Sequence, residues 1–369
     1  MPATAEPRSP SSNMVREILR RRLHNQHLSR PTLKTPAAVV EWLCAVQAQD
    51  YAAAKWALGS RMRSAVDDDV ERAFNEGAIL RTHLLRPTWH FVLPTDIRWL
   101  LALTAPRIKA GLAYRHRQLE LETRTLRRAG AAIGKALLDG VPRTRDELRE
   151  VLTHVGVRSL VVERMTHIMA MAELDGIVCS GPRKGKQFTY ALLDDRAPPG
   201  RTLDRDAALA ALASRYFRSR GPASVQDFAK WAGLTVADAR QGVESVKEDL
   251  RSMEANGATL RFPTTPPARA STRTAYLLSL YDELLSSYKD RSVMVEPRHA
   301  KKLVGMGNAL TAVIAIDGRI VGTWKRRLSA RTVTIQTRPF ERLSRDGARA
   351  VAAGARRYGE FLGLPVVLD

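Results

Sequence analysis

Residues 144–190 place a capped helix, a second helix and a β-hairpin in an order that few folds can accommodate. Thr144 followed by Glu147 has the spacing of a capping box, in which two free backbone N–H groups at a helix start are satisfied reciprocally. A second helix is predicted over 159–174, and two short apolar runs then flank the basic turn 180–186. Helix-turn-helix plus hairpin is the plan of a winged helix, which can place one helix in the major groove of DNA.

The same plan recurs loosely on both sides of this segment. A long basic helix over 107–128 is expected to lead into the central copy. Helix starts and hairpin turns of the other two copies are predicted from capping and turn residues at Thr35-Pro36, Asp67, Arg86-Pro87, Ser224, Thr235 and Asn256-Gly257.

The pattern changes after residue 263. Asp317-Gly318 is a strong hairpin signal between strands 310–316 and 319–324. A basic loop is predicted over 325–331, followed by another strand, a helix and a short closing strand. This order predicts a small antiparallel sheet or barrel with one helix.

The charge of the chain restricts its partners. Lys and Arg total 59 against 38 acidic residues, a formal net charge of +21. A GC-rich genome explains a preference for Arg over Lys, but it does not explain so many uncompensated charges. Such an excess is typical of proteins that neutralise phosphates, so we expect a nucleic-acid partner.

Membrane and secretory classes are not indicated. We find no apolar run of about 18 residues, and the N-terminus lacks the apolar core of a secretory signal. Cys44 and Cys179 are the only cysteines, and both have apolar neighbours. A disulfide framework or a zinc site is therefore not expected, and a cytoplasmic location fits.

Gln47 and Gln49 end a short apolar helix with an unusual spacing. Residues i and i+2 diverge by roughly 200° on a helix but point to the same side of an extended segment. If both amides serve one purpose, the helix must end at about Val46. Two adjacent amides can then hold a water or polar ligand through donor and acceptor atoms. The alternative interpretation is an ordinary polar helix terminus.

Four stretches together resemble the winged-helix DNA glycosylases similar to AlkZ, a group of bacterial enzymes that repair interstrand crosslinks and bulky adducts. The stretches are 46–50, 81–92, 280–291 and 316–324. The family motif is Gln, an aliphatic or small residue, then Gln or Asp, and it falls on Gln47 and Gln49. Ala48 is smaller than the residue often found between them. Because its second motif residue is glutamine, the chain resembles the branch of this family that protects antibiotic producers from their own DNA-alkylating product.

The resemblance implies an α+β fold of three tandem winged helices followed by a small antiparallel β-barrel. The expected bounds are a disordered tail over 1–13, winged helices over 14–105, 106–198 and 199–262, a linker over 263–272 and the barrel domain over 273–369.

Glutamine is no Brønsted base, which limits the substrates that a Gln pair can serve. The pair can only position water and present carbonyl dipoles, and this is sufficient when the leaving base is already activated. A purine alkylated at N7 or N3 is cationic and leaves as a neutral base. We therefore expect a monofunctional glycosylase for such purines, with no cofactor or metal. Lys55 is the one lysine near the motif.

Further residues are assigned on weaker signals. Asp50 is expected to orient the pair or cap a helix. Arg86 and His90 match family positions near the DNA, although a lone histidine in an apolar run is also typical of a structural role. Asp282 and Glu283 are interpreted as partners in ion pairs, and Trp89 and Trp324 as core residues. DNA contacts are expected at the central wing and, by resemblance, at a barrel hairpin: Arg183, Lys184, Lys186, Lys325, Arg326 and Arg327.

Two other functions compete. A non-catalytic winged-helix transcriptional regulator fits the charge and the wings but needs neither the Gln pair nor the C-terminal barrel. An RNA-binding protein has only the charge in its favour. The expected partner is double-stranded DNA with alkylated purines, bound by a monomer, because one chain already carries three DNA-binding modules.

Overall fold

The computed structural model describes residues 11–197, 199–200, 202–265, 273–304 and 310–369. Most of the predicted tail and linker, residues 1–10 and 266–272, lies outside the described residues. In the described part, none of the helices is long and apolar enough to cross a membrane.

The N-terminal region packs four helices around a three-stranded sheet. Its elements are α1 (Ser12–Asn25), α2 (Pro36–Leu43), β1 (Val46–Gln47), α3 (Tyr51–Gly59), α4 (Asp67–Glu76), β2 (Leu80–Leu84) and β3 (Thr88–Val92). The sheet is antiparallel, in the order β1-β3-β2. Thr35 caps α2 as predicted, since its side chain accepts a hydrogen bond from the Ala38 N–H. The helix start at Asp67 and the strands around Arg86-Pro87 are also confirmed.

The second region differs from the prediction before its first capped helix. Its elements are α5 (Ile97–Gln118), α6 (Thr123–Ala136), β4 (Arg143–Thr144), α7 (Arg145–His154), α8 (Val162–Leu174), β5 (Val178–Ser180), β6 (Thr189–Leu192) and α9 (Leu193–Arg196). The single basic helix over 107–128 is wrong, because the chain turns at Glu120, whose φ is 51°. The turn lets Leu121 enter the core of this region. The Thr144–Glu147 capping box and the hairpin are confirmed.

The third region follows the prediction closely. It comprises α10 (Arg205–Arg220), α11 (Val225–Ala232), α12 (Val236–Glu244), β7 (Leu250–Ala255) and β8 (Ala258–Pro263). Ser224 and Thr235 cap α11 and α12. The hairpin turns through Asn256 and Gly257, both at positive φ, as an Asn-Gly turn requires.

The C-terminal region is one five-stranded sheet with a long helix. Its elements are β9 (Ala275–Leu278), α13 (Glu283–Ser286), β10 (Val313–Ile316), β11 (Arg319–Leu328), β12 (Val333–Pro339), α14 (Arg345–Leu362) and β13 (Val366–Leu368). The order is β13-β12-β11-β10-β9. In the described residues β9 and β13 do not pair, so the sheet stays open. The β12–β13 pair is parallel, which corrects the expectation of a fully antiparallel barrel.

The predicted basic loop over 325–331 is also wrong. β11 continues to Leu328 and pairs with β12 through that residue, so Lys325, Arg326 and Arg327 lie in a strand. At this end of the hairpin most side chains are exposed on both faces. No apolar alternation therefore marks the strand in the sequence.

The N-terminal region packs against the C-terminal sheet, and this contact frames the Gln segment. Trp56 of α3 donates to the Leu277 carbonyl and contacts Tyr358 and Phe361 of α14. A separate cluster joins α1, α5, α10 and the chain after Leu278. The second region has its own core. The short strand β1 is thus enclosed by parts of the chain that are distant in sequence.

Candidate active site

The Gln-x-Gln segment is extended, as its spacing predicts. α2 ends at Leu43, Cys44 follows at a φ of 65°, and Gln47 pairs with His90 of β3. The flanking Val46 and Ala48 are buried, whereas Gln47 is half-buried and Gln49 is exposed. The alternation turns both glutamines away from the core, which confirms the expectation that they share a side.

The amide of Gln47 is held by an arginine from the β2–β3 turn. Arg86 Nη2 donates to Gln47 Oε1 at 3.0 Å, while Nη1 donates to the Trp231 carbonyl at 2.6 Å. Arg86 thus links the Gln segment to α11. No other contact to this amide is made by the residues that the structure describes, so one lone pair of Oε1 and both N–H bonds are left for a ligand.

Gln49 is oriented by the neighbouring strand. Its Oε1 accepts from the Trp89 backbone N–H at 3.3 Å. Trp89 was expected in the core but is only half-buried. Its ring lies 4.4 Å from that of His83 and 4.3 Å from the Arg81 guanidinium, and its indole donates to Glu173. Trp324 is buried as expected.

A fully buried carboxylate lies on the other side of Gln47. Glu283 Oε1 accepts from the Gln47 backbone N–H at 2.9 Å, and Oε2 accepts from Arg220 Nη2 at 2.8 Å. Burial alone would raise the pKa of Glu283, but the Arg220 charge and these hydrogen bonds hold it at about 2. Both predicted ion pairs are confirmed, since Asp282 pairs with Arg61 and Glu283 pairs with Arg220. The sequence gives no signal for the contact with Gln47, 236 residues away.

The auxiliary residues have structural partners. Asp50 caps α3 by accepting from the Ala53 N–H at 2.8 Å, which confirms its interpretation as a helix cap. His90 lies beside Gln47 and is fully buried; burial, with the Arg86 charge added, lowers its pKa to about 3. His90 is therefore neutral at neutral pH. Its Nδ1 bonds to the Thr88 carbonyl, and its Nε2 has no partner in the described residues.

The basic residues of the central wing divide into inward and outward groups. Arg183 faces α4, where it pairs with Glu71 at 3.3 Å and lies 5.2 Å from the Tyr51 ring. Its position at a turn predicted an outward side chain. Lys184 pairs with Glu147 but stays 68% exposed, and Lys186 is exposed.

The β11–β12 hairpin brings further cations close to Asp50, the residue after Gln49. Lys325 and Arg327 are exposed, whereas Arg326 donates to the Tyr358 hydroxyl. Lys325 and Arg326 line a cavity of about 100 Å³ together with Asp50. Ser279 and Leu280 line the same cavity, which lies between Asp50 and the hairpin.

The lysine near the motif is paired, and burial keeps both cysteines as thiols. Lys55 binds Asp67 at 2.5 Å and Glu71 at 2.9 Å. Both cysteines are free and buried, and burial raises the pKa of Cys44 to about 11 and that of Cys179 to about 12.

Three side chains lie close enough to hold a metal ion. Glu296, His299 and Glu341 have ligand atoms within 4.8 Å of one another. Arg298 already binds both carboxylates, at 2.8 and 2.5 Å, so an ion-pair network accounts for the group.

Comparisons with known proteins agree with this architecture. The model of the family described as DNA glycosylase AlkZ-like matches residues 40–361. An interstrand DNA cross-link repair glycosylase of Streptomyces sahachiroi is 26% identical over 376 residues, covering 95% of this chain and 98% of the relative. The solved structure of S. sahachiroi DNA glycosylase AlkZ has a TM-score of 0.80 at 24% identity, over 98% of this chain and 100% of that one. The match to the solved structure shows a shared fold. The match to the family model covers most of the chain. The protein belongs to the AlkZ-like family of DNA glycosylases.

Proposed function

We propose that this glycosylase hydrolyses the N-glycosidic bond of purines made cationic by alkylation at N7 or N3. The observation that carries the proposal is that the two carboxylates near Gln47 in the described part of the chain, Glu283 and Asp50, already have partners. Glu283 forms an ion pair with Arg220, and Asp50 accepts a hydrogen bond from the Ala53 N–H at the start of α3. Burial and the Arg86 charge keep the pKa of His90 at about 3, so this imidazole is a weak base and carries no proton to give at neutral pH. With neither a free carboxyl group nor a protonated histidine beside Gln47 in the described residues, the site suits a leaving group that departs as a neutral purine without protonation.

Gln47 and Gln49 act by positioning. Water must reach the anomeric carbon as the base departs and the sugar gains oxocarbenium character. The Gln47 amide, fixed by Arg86, offers one oxygen lone pair and two N–H donors; Gln49 adds a second amide on the same side. Holding the water in an attacking geometry supplies the rate enhancement. Lys55, the lysine near the motif in sequence, is held by Asp67 and Glu71, so we infer a monofunctional enzyme without lyase action.

The name of one relative supports a narrower substrate class. The S. sahachiroi relative is named an interstrand DNA cross-link repair glycosylase. We extend that role to bulky adducts or crosslinks formed by a DNA-alkylating natural product, which makes the enzyme a self-resistance factor. Membership of a glycosylase family favours this role over the non-catalytic regulator.

DNA is bound along the basic hairpins. We assign the helix-plus-hairpin regions to three winged helices, as their element order supports. Lys184, Lys186, Lys325 and Arg327 are exposed and contact phosphates, whereas Arg183 and Arg326 hold the two hairpins in place through Glu71 and Tyr358. One chain is sufficient for binding, and the enzyme works as a monomer on the nucleoid in the cytoplasm.

The test is release of a modified base. The protein is incubated with a duplex that carries an N7-alkylguanine, and heat or alkali then reveals abasic sites. Gln47→Ala and Gln49→Ala should each remove most of the release while DNA affinity stays nearly unchanged. Full activity in both variants would refute the catalytic role of the pair. No release by wild type over small and bulky adducts would refute the proposed substrate class.

A further inference from the structure

We propose that Glu283 is a positioning residue for the Gln pair, and that it acts together with Arg220. The inference rests on the proposed catalytic role of Gln47. Glu283 touches only the backbone of Gln47, so its effect on the reaction is exerted through the geometry of β1.

The need for such a residue follows from the pairing of β1. This strand has two residues and lies at the edge of its sheet, where β3 is its one strand partner among the described residues. The Ala48 N–H donates to the Trp89 carbonyl of β3 at 2.7 Å. Because successive N–H groups of a strand point in opposite directions, the Gln47 N–H points away from β3. Without the Glu283 carboxylate, this N–H would have no partner from the sheet.

The Arg220–Glu283 pair fixes the chain at three points. Arg220 Nη1 donates to the Leu43 carbonyl at 2.8 Å, and Nη2 donates to the Ala45 carbonyl at 3.0 Å. Glu283 binds the N–H of Gln47. Alternate residues from the end of α2 to the first glutamine are therefore held by one ion pair.

The pair itself is held rigidly. Both side chains are completely buried. Glu283 Oε2 also accepts from the Trp231 indole at 3.0 Å and from the Ser287 hydroxyl at 2.8 Å. Trp231 is also the residue whose carbonyl anchors Arg86, so the backbone and the side chain of Gln47 are fixed from the same place on α11. Displacement of the carboxylate would move the amide relative to the bound sugar.

The neighbouring residue provides a matched control. Asp282 is equally buried and pairs with the buried Arg61, at 2.8 Å between Oδ1 and Nη2. Arg61 binds the Ala57 carbonyl and Gln26. In the described residues neither Asp282 nor Arg61 hydrogen-bonds to residues 43–49. Asp282 Oδ1 also caps α13, the helix that carries Glu283, by accepting from the Leu284 N–H at 2.8 Å, and an Asn side chain can retain that cap. Asp282→Asn thus disturbs a buried ion pair of the same kind while the start of α13 is kept.

The experiment compares Glu283→Asp, Glu283→Gln and Asp282→Asn in single-turnover base release at saturating enzyme. Glu283→Asp keeps the charge opposite Arg220 and withdraws the carboxylate by one methylene, so it serves if Glu283→Gln does not fold. We expect both Glu283 variants to lose about 10²-fold in rate, the size associated with a misplacement of about 1 Å. Their affinity for a duplex with an abasic-site analogue should stay within about twofold of wild type, because Glu283 is completely buried. A twofold change corresponds to well under 1 kcal/mol of binding free energy.

Asp282→Asn should keep a rate within about threefold of wild type at a similar loss of melting temperature, because it leaves the reacting geometry intact. The positioning role is overturned if Glu283→Asp releases the base at the wild-type rate, or if Asp282→Asn loses as much rate as the Glu283 variants. Gln47→Ala is measured alongside; if that variant remains active, the proposed function has failed independently of Glu283.

Discussion

Acidification provides a quantitative test of the buried Glu283–Arg220 pair. The folded protein holds the pKa of Glu283 at about 2, below its ordinary value of 4.5, because Arg220 and the hydrogen bonds outweigh the effect of burial. A lowered folded pKa means that the contribution to stability is complete above the unfolded pKa. It is lost as the pH falls toward the folded pKa, over a window from about pH 5 to about pH 2.

The magnitude follows from the two pKa values. A decrease from 4.5 to about 2 corresponds to about 3 kcal/mol of stability at neutral pH. By about pH 3.5 roughly 1 kcal/mol of this contribution should be lost. Glu283→Gln has no carboxyl group at this position. The difference in unfolding free energy between wild type and variant should therefore narrow by that amount on acidification.

The assay is urea unfolding followed by tryptophan fluorescence at about pH 7 and about pH 3.5. Leu285→Ala is the control, because Leu285 is buried in the same short helix and carries no charge. Its difference from wild type should not change with pH. If the Glu283→Gln difference is the same at both pH values, or widens on acidification, the carboxylate is not stabilised as a buried anion and the reasoning is refuted.

Three further predictions concern the chemistry and the DNA. Arg86→Lys replaces a planar fork by a point charge, so single-turnover release should fall by about tenfold while duplex affinity is retained; an unchanged rate would contradict the role of Arg86. Lys325→Ala with Arg327→Ala removes two exposed cations, and the slope of log affinity against log salt should decrease by about 2; an unchanged slope would place these side chains off the DNA. Gln49→Asp introduces a free carboxylate, so release of an uncharged damaged purine should rise by about 10²-fold, measured against the wild-type rate; a carboxylate without effect would show that a base is not what limits this substrate.

Local hydrogen bonding made much of the fold predictable. Thr144 and Ser224 complete capping boxes whose partners are three residues away, and Asp317-Gly318 adopts the positive φ angles that its hairpin turn needs. The extended state of the Gln segment could be predicted because its alternation is also local. These features depend on neighbours within one turn of chain.

The remainder depended on contacts that no local pattern records. α3 is buried on nearly all sides and so lacks the amphipathic spacing that marks a helix. The turn at Glu120 depends on where Leu121 packs. The strand around Arg326 has no apolar alternation because its hairpin is largely exposed. Glu283 was correctly interpreted as an ion-pair residue, yet its contact with Gln47 depends on the packing of the C-terminal region against β1.

The Arg220–Glu283 pair is better suited to fixing geometry than to stabilising the fold. Removing two charges from water costs several kcal/mol, and well-packed apolar residues of similar volume often stabilise a core equally well. Apolar replacements would still leave the Leu43 and Ala45 carbonyls and the Gln47 N–H without these partners. A site whose carboxylates are already bound depends on the placement of a neutral amide for its rate. We therefore expect that replacing the pair by apolar residues would preserve the fold more fully than the activity.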